Sequence, residues 1–271
     1  YWLQQTFSQA YSKIKLPKKV FEKLADTLVS MLCEIGTQVL WEKFNKGRSP
    51  GVLLLAHLGN QKDGSGEPVR EYYGEFIRFQ KQNGLQDLLE EYPVFAKFIG
   101  TTIAFWERNS IELLERICKD REIIASKFSI PESFVITDIK QGLSDPHRKA
   151  KSVAIISFTD PESAETKNLV YKPKDMQLDS AYQRALNDLN SISSQPLKTL
   201  EIHADDGYGY MEHVAHQTCT NEDQLRGFYF NAGQLTAVLH ALGCTDCHHE
   251  NLIAAQDQLV LIDTETLLEA E

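Results

Sequence analysis

Hydrophobic positions recur at helical spacing through the first half of the chain. Apolar residues between Pro17 and Leu40 follow one another every three or four positions, and proline is well suited to the first turn of a helix. A polar, glycine-containing loop is predicted at 59–68. Three further helices are predicted at about 70–82, 85–106 and 110–127. Residues 1–130 are therefore predicted to form a helical region.

The pattern changes near Pro131, where alternation and β-branched residues replace the helical spacing. The predicted strands lie at 134–139, 152–158, 168–172, 199–203, 210–214, 252–254 and 259–262. Two helices interrupt them, one over 178–192 and one from a capping Thr220 to Leu242, stopping at Gly243. The fold class is therefore predicted to be α+β, with a second region at 131–271.

Charge and cysteine content narrow the class of protein. The formal net charge is −10 for 271 residues, which argues against a nucleic-acid partner because phosphate contacts need basic surface. No run approaches the roughly 18 apolar residues of a transmembrane segment. The five cysteines are odd in number and sparse, so we expect reduced thiols and a cytoplasmic protein. The chain begins at Tyr1 rather than Met, which predicts a piece of a longer protein.

The residues with the clearest chemical pattern lie between Cys244 and Glu265. Asp246 and Asn251 follow the last long helix, and Asp263 ends the next apolar strand. Kinase-type phosphoryl transfer needs these residue types in this order, an Asp for the nucleophile's proton and then an Asn and an Asp for metal. Oxygen ligands suit Mg²⁺. Lys172 closes the third predicted strand, where kinases place a phosphate-binding lysine.

Three other interpretations use the same segment. Cys244, Cys247 and His248 match the haem-attachment pattern, and the same residues with His249 could bind zinc. The segment could also be a structural hairpin in a non-catalytic peptide- or nucleotide-binding module. The turn at 144–150, where kinases have a glycine-rich loop, lacks that pattern here. The module interpretation leaves the order of Lys172, Asp246, Asn251 and Asp263 unexplained.

Five motifs together resemble the dehydratase domain of class II lanthipeptide synthetases (LanM-type). They are Gly142–His147, Val170–Lys174, Gly209–Glu212, Asp246–Asn251 and Ile262–Leu267. The resemblance extends over nearly the whole chain and implies a lipid-kinase-like, two-lobed fold. It also implies a truncated fragment, with a helical N-terminal region, a β-rich small lobe and the start of a helical large lobe.

The resemblance implies an ATP-dependent kinase–lyase. Such enzymes use ATP and Mg²⁺ to phosphorylate Ser and Thr of a ribosomally made precursor peptide that carries a leader. They then eliminate phosphate to give dehydroalanine or dehydrobutyrine. The zinc of the cyclase domain is expected only in the missing C-terminal part.

Roles are carried over by position. Asp246 would activate the substrate hydroxyl beside His248, and Lys172 would contact the ATP phosphates. Asn251 and Asp263 would bind Mg²⁺, with support from Glu265. Asp145 and His147 would serve the elimination of phosphate. The strand that ends at Glu212 would border the adenine of ATP. The carboxylate that pairs with Lys172 is not marked by a motif; Asp188 is the candidate.

Overall fold

A computed structural model describes residues 16–46, 67–144 and 149–268, with side chains omitted at 67–72. The first part is helical in the residues described, as predicted, although the three helices predicted over 70–127 appear as four α-helices. Most of the loop predicted at 59–68 lies outside the described residues. Its helices are α1 (Lys18–Lys46), α2 (Glu67–Phe79), α3 (Leu85–Glu91), α4 (Pro93–Lys119) and α5 (Arg121–Phe128). A π-helical segment, Gln80–Gly84, joins α2 to α3.

The second part is a five-stranded antiparallel sheet followed by a β-hairpin, with two helices interleaved. The elements are β1 (Val135–Lys140), β2 (Ala154–Thr159), β3 (Thr166–Lys172), α6 (Gln177–Asn190), β4 (Ile202–Asp205), β5 (Tyr208–Glu212), α7 (Glu222–Ala241), β6 (Leu252–Ala255) and β7 (Gln258–Leu261). The sheet order is β1-β2-β3-β5-β4, and β6 pairs only with β7 among the named strands. In this second part, the predicted order of helices and strands is confirmed.

Several predicted ends of helices were wrong because contacts with distant residues determine where these helices begin and end. Helix α4 continues through 106–110 and ends at Lys119, next to the buried Asp120. The carboxylate of Asp120 accepts hydrogen bonds from the hydroxyls of Tyr208 (2.7 Å) and Tyr210 (3.1 Å). Helix α7 is capped by Asn221 rather than by Thr220, since the Asn221 side chain accepts from the amide of Gln224 at 2.9 Å.

The turn between β4 and β5 is tighter than the sequence predicts. Asp205 pairs with Tyr208, and Gly207 between them has φ +72°, a conformation that glycine adopts without strain. The strands therefore begin and end closer to the turn than predicted. The register places Gly209 opposite Lys172 of β3, so this hairpin supports the end of the strand that carries the lysine.

Two hydrophobic clusters meet at the hairpin β6–β7. The first comprises Val170, Met176, Leu200, Ile202, Met211, Val214 and Val260. The second comprises Tyr182, Leu186, Leu197, Leu235, Leu239, Leu261 and Leu267. Consecutive residues of a strand face opposite sides, so Val260 joins one cluster and Leu261 the other. This packing on both faces fixes the hairpin and the loops at its ends.

The chain divides into two compact units. One comprises Ala25–Ile111, and the other comprises the described residues up to Leu24 and from Glu112 onward. The second unit contains the sheet, the hairpin and every described candidate site residue. The proposed boundary between 1–130 and 131–271 stays a prediction. In the ranges that the structure covers, no helix combines the length and apolarity needed to cross a membrane.

Gly209 provides a test of the sheet geometry. A Cβ at this position would overlap the carbonyl oxygen of His203 and lie 2.7 Å from the Met176 sulfur. Because the first neighbour is backbone, the strands must separate, and Gly209→Ala is expected to lower the free energy of unfolding by about 1–3 kcal/mol.

A matched variant is Gly233→Ala in α7, where an added Cβ meets nothing within 4 Å. Alanine is favoured over glycine in a helix by about 1 kcal/mol, so this variant should be neutral or more stable. Urea denaturation measures both. Equal stabilities for the two variants would contradict the close packing of Gly209 against the His203 carbonyl.

Candidate active site

The loop before β6 and the segment after β7 are held side by side. The amide of Ile262 donates to the Asn251 carbonyl at 2.9 Å, which extends the hairpin pairing beyond its strands. The amide of Asp246 donates to the Thr266 hydroxyl at 3.1 Å. The residues predicted to act on substrate and metal are therefore brought together by the hairpin, although they are apart in sequence.

A pocket of about 530 Å³ lies between these segments and the connection that follows β1. Its lining is polar and acidic. The lining residues are Gly142, Leu143, Ser144, Asp246, His248, Glu250, Asn251, Asp263, Glu265 and Thr266. The predicted catalytic and metal-binding residues Asp246, His248, Asn251, Asp263 and Glu265 thus share one pocket. Asp145 and His147, which follow Ser144, lie outside the described residues.

Asp246 is held by two neighbours and remains half exposed. Its Oδ1 lies 3.1 Å from His248 Nε2, and its Oδ2 accepts from Asn251 Nδ2 at 3.0 Å. The amide of Glu250 donates to His248 Nδ1 at 3.2 Å, so a neutral His248 carries its proton on Nε2, toward Asp246. The arrangement orients a carboxylate that is open to solvent, with 49% of the side chain exposed. Such a group can accept a proton from a bound hydroxyl.

Asp263 and Glu265 share one ammonium group. Lys174 Nζ lies 2.7 Å from Asp263 Oδ1 and 2.8 Å from Glu265 Oε1. Burial opposes ionisation of Asp263, but Lys172 and Lys174 outweigh it and hold the pKa of Asp263 below its ordinary value. Burial likewise opposes the charge on Lys174, yet its two hydrogen bonds raise its pKa. Asp263 and Lys174 therefore both carry their charges at neutral pH.

Lys174 is a residue that the sequence analysis missed. It lies two positions beyond Lys172 in the motif Val170–Lys174. Its contacts are to residues far along the chain, so strand spacing alone does not reveal them. The sequence did contain one indication of its role, because Lys174 is a second lysine in a motif whose first lysine, Lys172, was predicted to bind phosphate.

Lys172 is buried and does not line the pocket. Its Nζ lies 3.5 Å from Asp179 Oδ1 and donates to the carbonyl oxygen of Ile262. Burial lowers the pKa of Lys172, although Asp179 opposes this effect. The candidate partner Asp188 was wrong: Asp179 lies on the buried side of α6, which the helix spacing did not distinguish. The contact of Lys172 with ATP phosphates stays a prediction.

Glu212 is not brought to the acidic pocket. It accepts from Lys198 Nζ at 3.2 Å and from the Glu201 amide at 3.3 Å. It lines a separate pocket of about 450 Å³ that also contains Lys127, Lys167 and His213. The proposed position of the adenine beside this strand stays a prediction.

The structure joins Cys244 and Cys247 in a disulfide, contrary to the expected reduced thiols. The number of cysteines in a chain indicates whether several disulfides form a framework, but it does not exclude a single local bridge. This bridge requires only that one turn bring two Cα atoms to within 6.4 Å of each other. Bonded sulfurs are not thiolate ligands, so this state does not fit the zinc interpretation or the thiol-based haem attachment.

The oxygen donors in the pocket fit a hard cation. Asp263 and Glu265 provide carboxylates, and Asn251 can offer its side-chain oxygen as a ligand because its Nδ2 is the atom that donates to Asp246. Within the described ranges, no three His, Cys, Asp or Glu side chains form a metal site by themselves. Proteins commonly hold Mg²⁺ by one or two carboxylates together with substrate phosphates, so Asp263 and Glu265 are residues that would hold it.

Comparison with known proteins places these residues in a family. The chain is 23% identical over 280 residues to the "Lacticin 481/lactococcin biosynthesis protein LcnDR2" of Lactococcus lactis subsp. lactis, over 98% of this chain and 27% of that protein. It therefore spans about a quarter of the relative's length. Residues 92–271 match the family described as "Domain of unknown function (DUF4135)". Because this match covers more than half of the chain and every residue of the pocket, the chain belongs to the DUF4135 family.

Proposed function

We propose that the chain is part of a lanthipeptide dehydratase of the LanM type, with a lipid-kinase-like fold. Its function would be to phosphorylate Ser and Thr of a precursor peptide with ATP and then to eliminate phosphate. The observation that carries the proposal is the meeting of Asp246, Asn251, Asp263 and Glu265 in one pocket. The relative named for lacticin 481/lactococcin biosynthesis supports a peptide-modifying role.

In the phosphorylation step, the Asp246 carboxylate accepts the proton of the substrate hydroxyl as the hydroxyl oxygen attacks the γ-phosphorus of ATP. The bond from the γ-phosphorus to the β,γ-bridging oxygen breaks, and ADP leaves with that electron pair. His248 and Asn251 hold the carboxylate in place through contacts of 3.1 Å and 3.0 Å. Asn251, Asp263 and Glu265 would hold Mg²⁺, which neutralises phosphate charge when bound. Lys172 keeps the end of β3 beside Ile262, next to these ligands.

The elimination step is supported by the resemblance alone. Phosphate leaves more easily than hydroxide, so phosphorylation prepares the side chain for loss of the α-proton and of phosphate. Asp145 and His147 follow the pocket residue Ser144 in sequence and are proposed to serve this step. Histidine suits proton transfer because its ordinary pKa lies near neutrality.

Asp145 and His147 are proposed to act only in phosphate elimination and not in phosphorylation. Asp145→Ala or His147→Ala in the full-length protein should let phosphorylated peptide accumulate, because phosphoryl transfer remains and elimination fails. Mass spectrometry of the peptide after incubation with ATP and Mg²⁺ measures this. Loss of both phosphorylation and dehydration in Asp145→Ala would show that the proposed division is wrong.

The proposed function itself is tested with the full-length protein, ATP, Mg²⁺ and a precursor peptide encoded beside its gene. Mass spectrometry should show the loss of one water for each modified Ser or Thr. A reaction without ATP is the control and should leave the peptide unchanged. Finding neither phosphorylated nor dehydrated peptide would contradict the proposal.

A further inference from the structure

One lysine bridges the two carboxylates proposed to hold metal. Lys174 Nζ lies 2.7 Å from an Asp263 oxygen and 2.8 Å from a Glu265 oxygen, so both oxygens converge on one atom. The side chain of Lys174 is 21% exposed, and the Glu265 amide also donates to Asp263 at 3.2 Å. The ammonium therefore occupies the position between these carboxylates that a metal ion would need.

The charges at this position favour replacement of the Lys174 ammonium by a divalent cation. The ammonium supplies one positive charge to two carboxylates, whereas a divalent cation supplies two. Magnesium binds carboxylate oxygens at about 2.0–2.1 Å and strongly repels a second cation at the same oxygens. Lys174 and a divalent metal therefore compete for Asp263 and Glu265.

The two lysines of the motif differ in their freedom to move. Lys172 is buried, pairs with Asp179 and donates to the carbonyl of Ile262, so its ammonium is fixed. Lys174 is partly exposed, and its two contacts are to the side chains of the acid pair. A lysine stem is flexible, so its ammonium can leave when another anion is offered.

We propose that Lys174 is the resident cation of the acid pair and that a divalent metal must displace it. Metal binding is then weak without nucleotide, and the phosphates of a nucleotide strengthen it by giving the displaced ammonium a new anionic partner. Lys174 is thus a positioning residue that couples metal binding to nucleotide binding. This inference rests on the proposed function and assigns a role to Lys174, a residue to which the resemblance assigned none.

The test is a titration of the full-length protein with Mn²⁺ in the absence of nucleotide, read by the electron paramagnetic resonance signal of the free ion. Removing a unit charge beside the site favours a divalent cation, so Lys174→Met should lower the Kd by about tenfold. Lys174→Arg keeps the charge and should bind no more tightly than the wild type.

The matched control is Lys151→Met. Lys151 is similarly buried and pairs with Glu112 at 2.6 Å, and neither residue lines the pocket. Its loss should leave the Kd for Mn²⁺ unchanged. A second variant, Lys174→Gln, keeps a polar side chain, and circular dichroism verifies folding. If neither Lys174→Met nor Lys174→Gln tightens Mn²⁺ binding, the inference is overturned.

Two additions separate this inference from the proposed function. Asp263→Asn combined with Lys174→Met should abolish the tightening; if the tightening persists, the metal lies elsewhere and the inference fails. Adding ADP should strengthen Mn²⁺ binding by the wild type more than by Lys174→Met. If the wild type binds Mn²⁺ with ADP but both proteins respond equally, only the inference fails. If neither protein binds Mn²⁺ with or without ADP, the proposed function fails as well.

Discussion

Asp246→Asn is expected to lower the rate of peptide phosphorylation by about 10²–10⁴-fold, the usual contribution of a positioned acid or base. The substitution keeps the size of the side chain but removes its ability to accept the hydroxyl proton. Asp246 is half exposed and the contacts of its side chain are local, so the fold should be retained. The measurement is the initial rate of phosphopeptide formation with ATP and Mg²⁺, using the full-length protein.

Asp257→Asn is the matched control for Asp246→Asn. Asp257 lies in the turn at the other end of the hairpin β6–β7 and does not line the pocket. The same chemical change at that position should leave the phosphorylation rate close to that of the wild type. An Asp246→Asn protein that is as active as Asp257→Asn would remove Asp246 from the mechanism.

Asp179→Ala is expected to lower the free energy of unfolding by about 3–5 kcal/mol, because it leaves a buried ammonium without its carboxylate. The side chains of Lys172 and Asp179 are each only 4% exposed. In contrast, Glu22→Ala breaks an exposed ion pair with Lys18 and should change stability by less than about 1 kcal/mol. Urea denaturation compares the two variants.

The stability deficit of Asp179→Ala should shrink as the pH rises. Burial already lowers the pKa of Lys172, and loss of Asp179 lowers it further. Between that lowered pKa and the unfolded value of about 10.4, the unfolded chain binds a proton that the folded variant does not, so stability increases with pH.

A double variant tests whether the ion pair or merely its packing matters. Lys172→Met with Asp179→Leu removes both charges and should recover most of the stability lost in Asp179→Ala, since buried pairs are often replaceable by apolar residues. A deficit in Asp179→Ala that neither varies with pH nor recovers in the double variant would contradict the account of Lys172 as a buried charge.

The sequence predicted those parts of the site that depend on residues close together in the chain. The apolar strand before Asp263 and the loop from Asp246 to Asn251 are each recognisable from neighbouring residues. A hairpin between them places their ends together, so their meeting in one pocket follows from the element order. The same reasoning located Lys172 at the end of β3.

Contacts between distant segments could not be predicted in this way. Lys174 contacts Asp263 and Glu265, which lie 89 and 91 residues later in the chain, and helix spacing alone could not select Asp179 over Asp188. The disulfide between Cys244 and Cys247 depends on the turn that brings them together, which a cysteine count does not describe. In each case the missing information was three-dimensional proximity.

Calorimetric titration tests most directly whether the acidic pocket binds ATP together with metal. The full-length protein is titrated with ATP at saturating Mg²⁺, as the wild type, as Asp263→Asn and as Asp257→Asn. We predict binding by the wild type and Asp257→Asn and much weaker binding by Asp263→Asn, because Asp263 lines the pocket and Asp257 does not. No ATP binding by the wild type, as in a non-catalytic peptide-binding module, or equal binding by all three proteins would contradict binding of ATP with metal in this pocket.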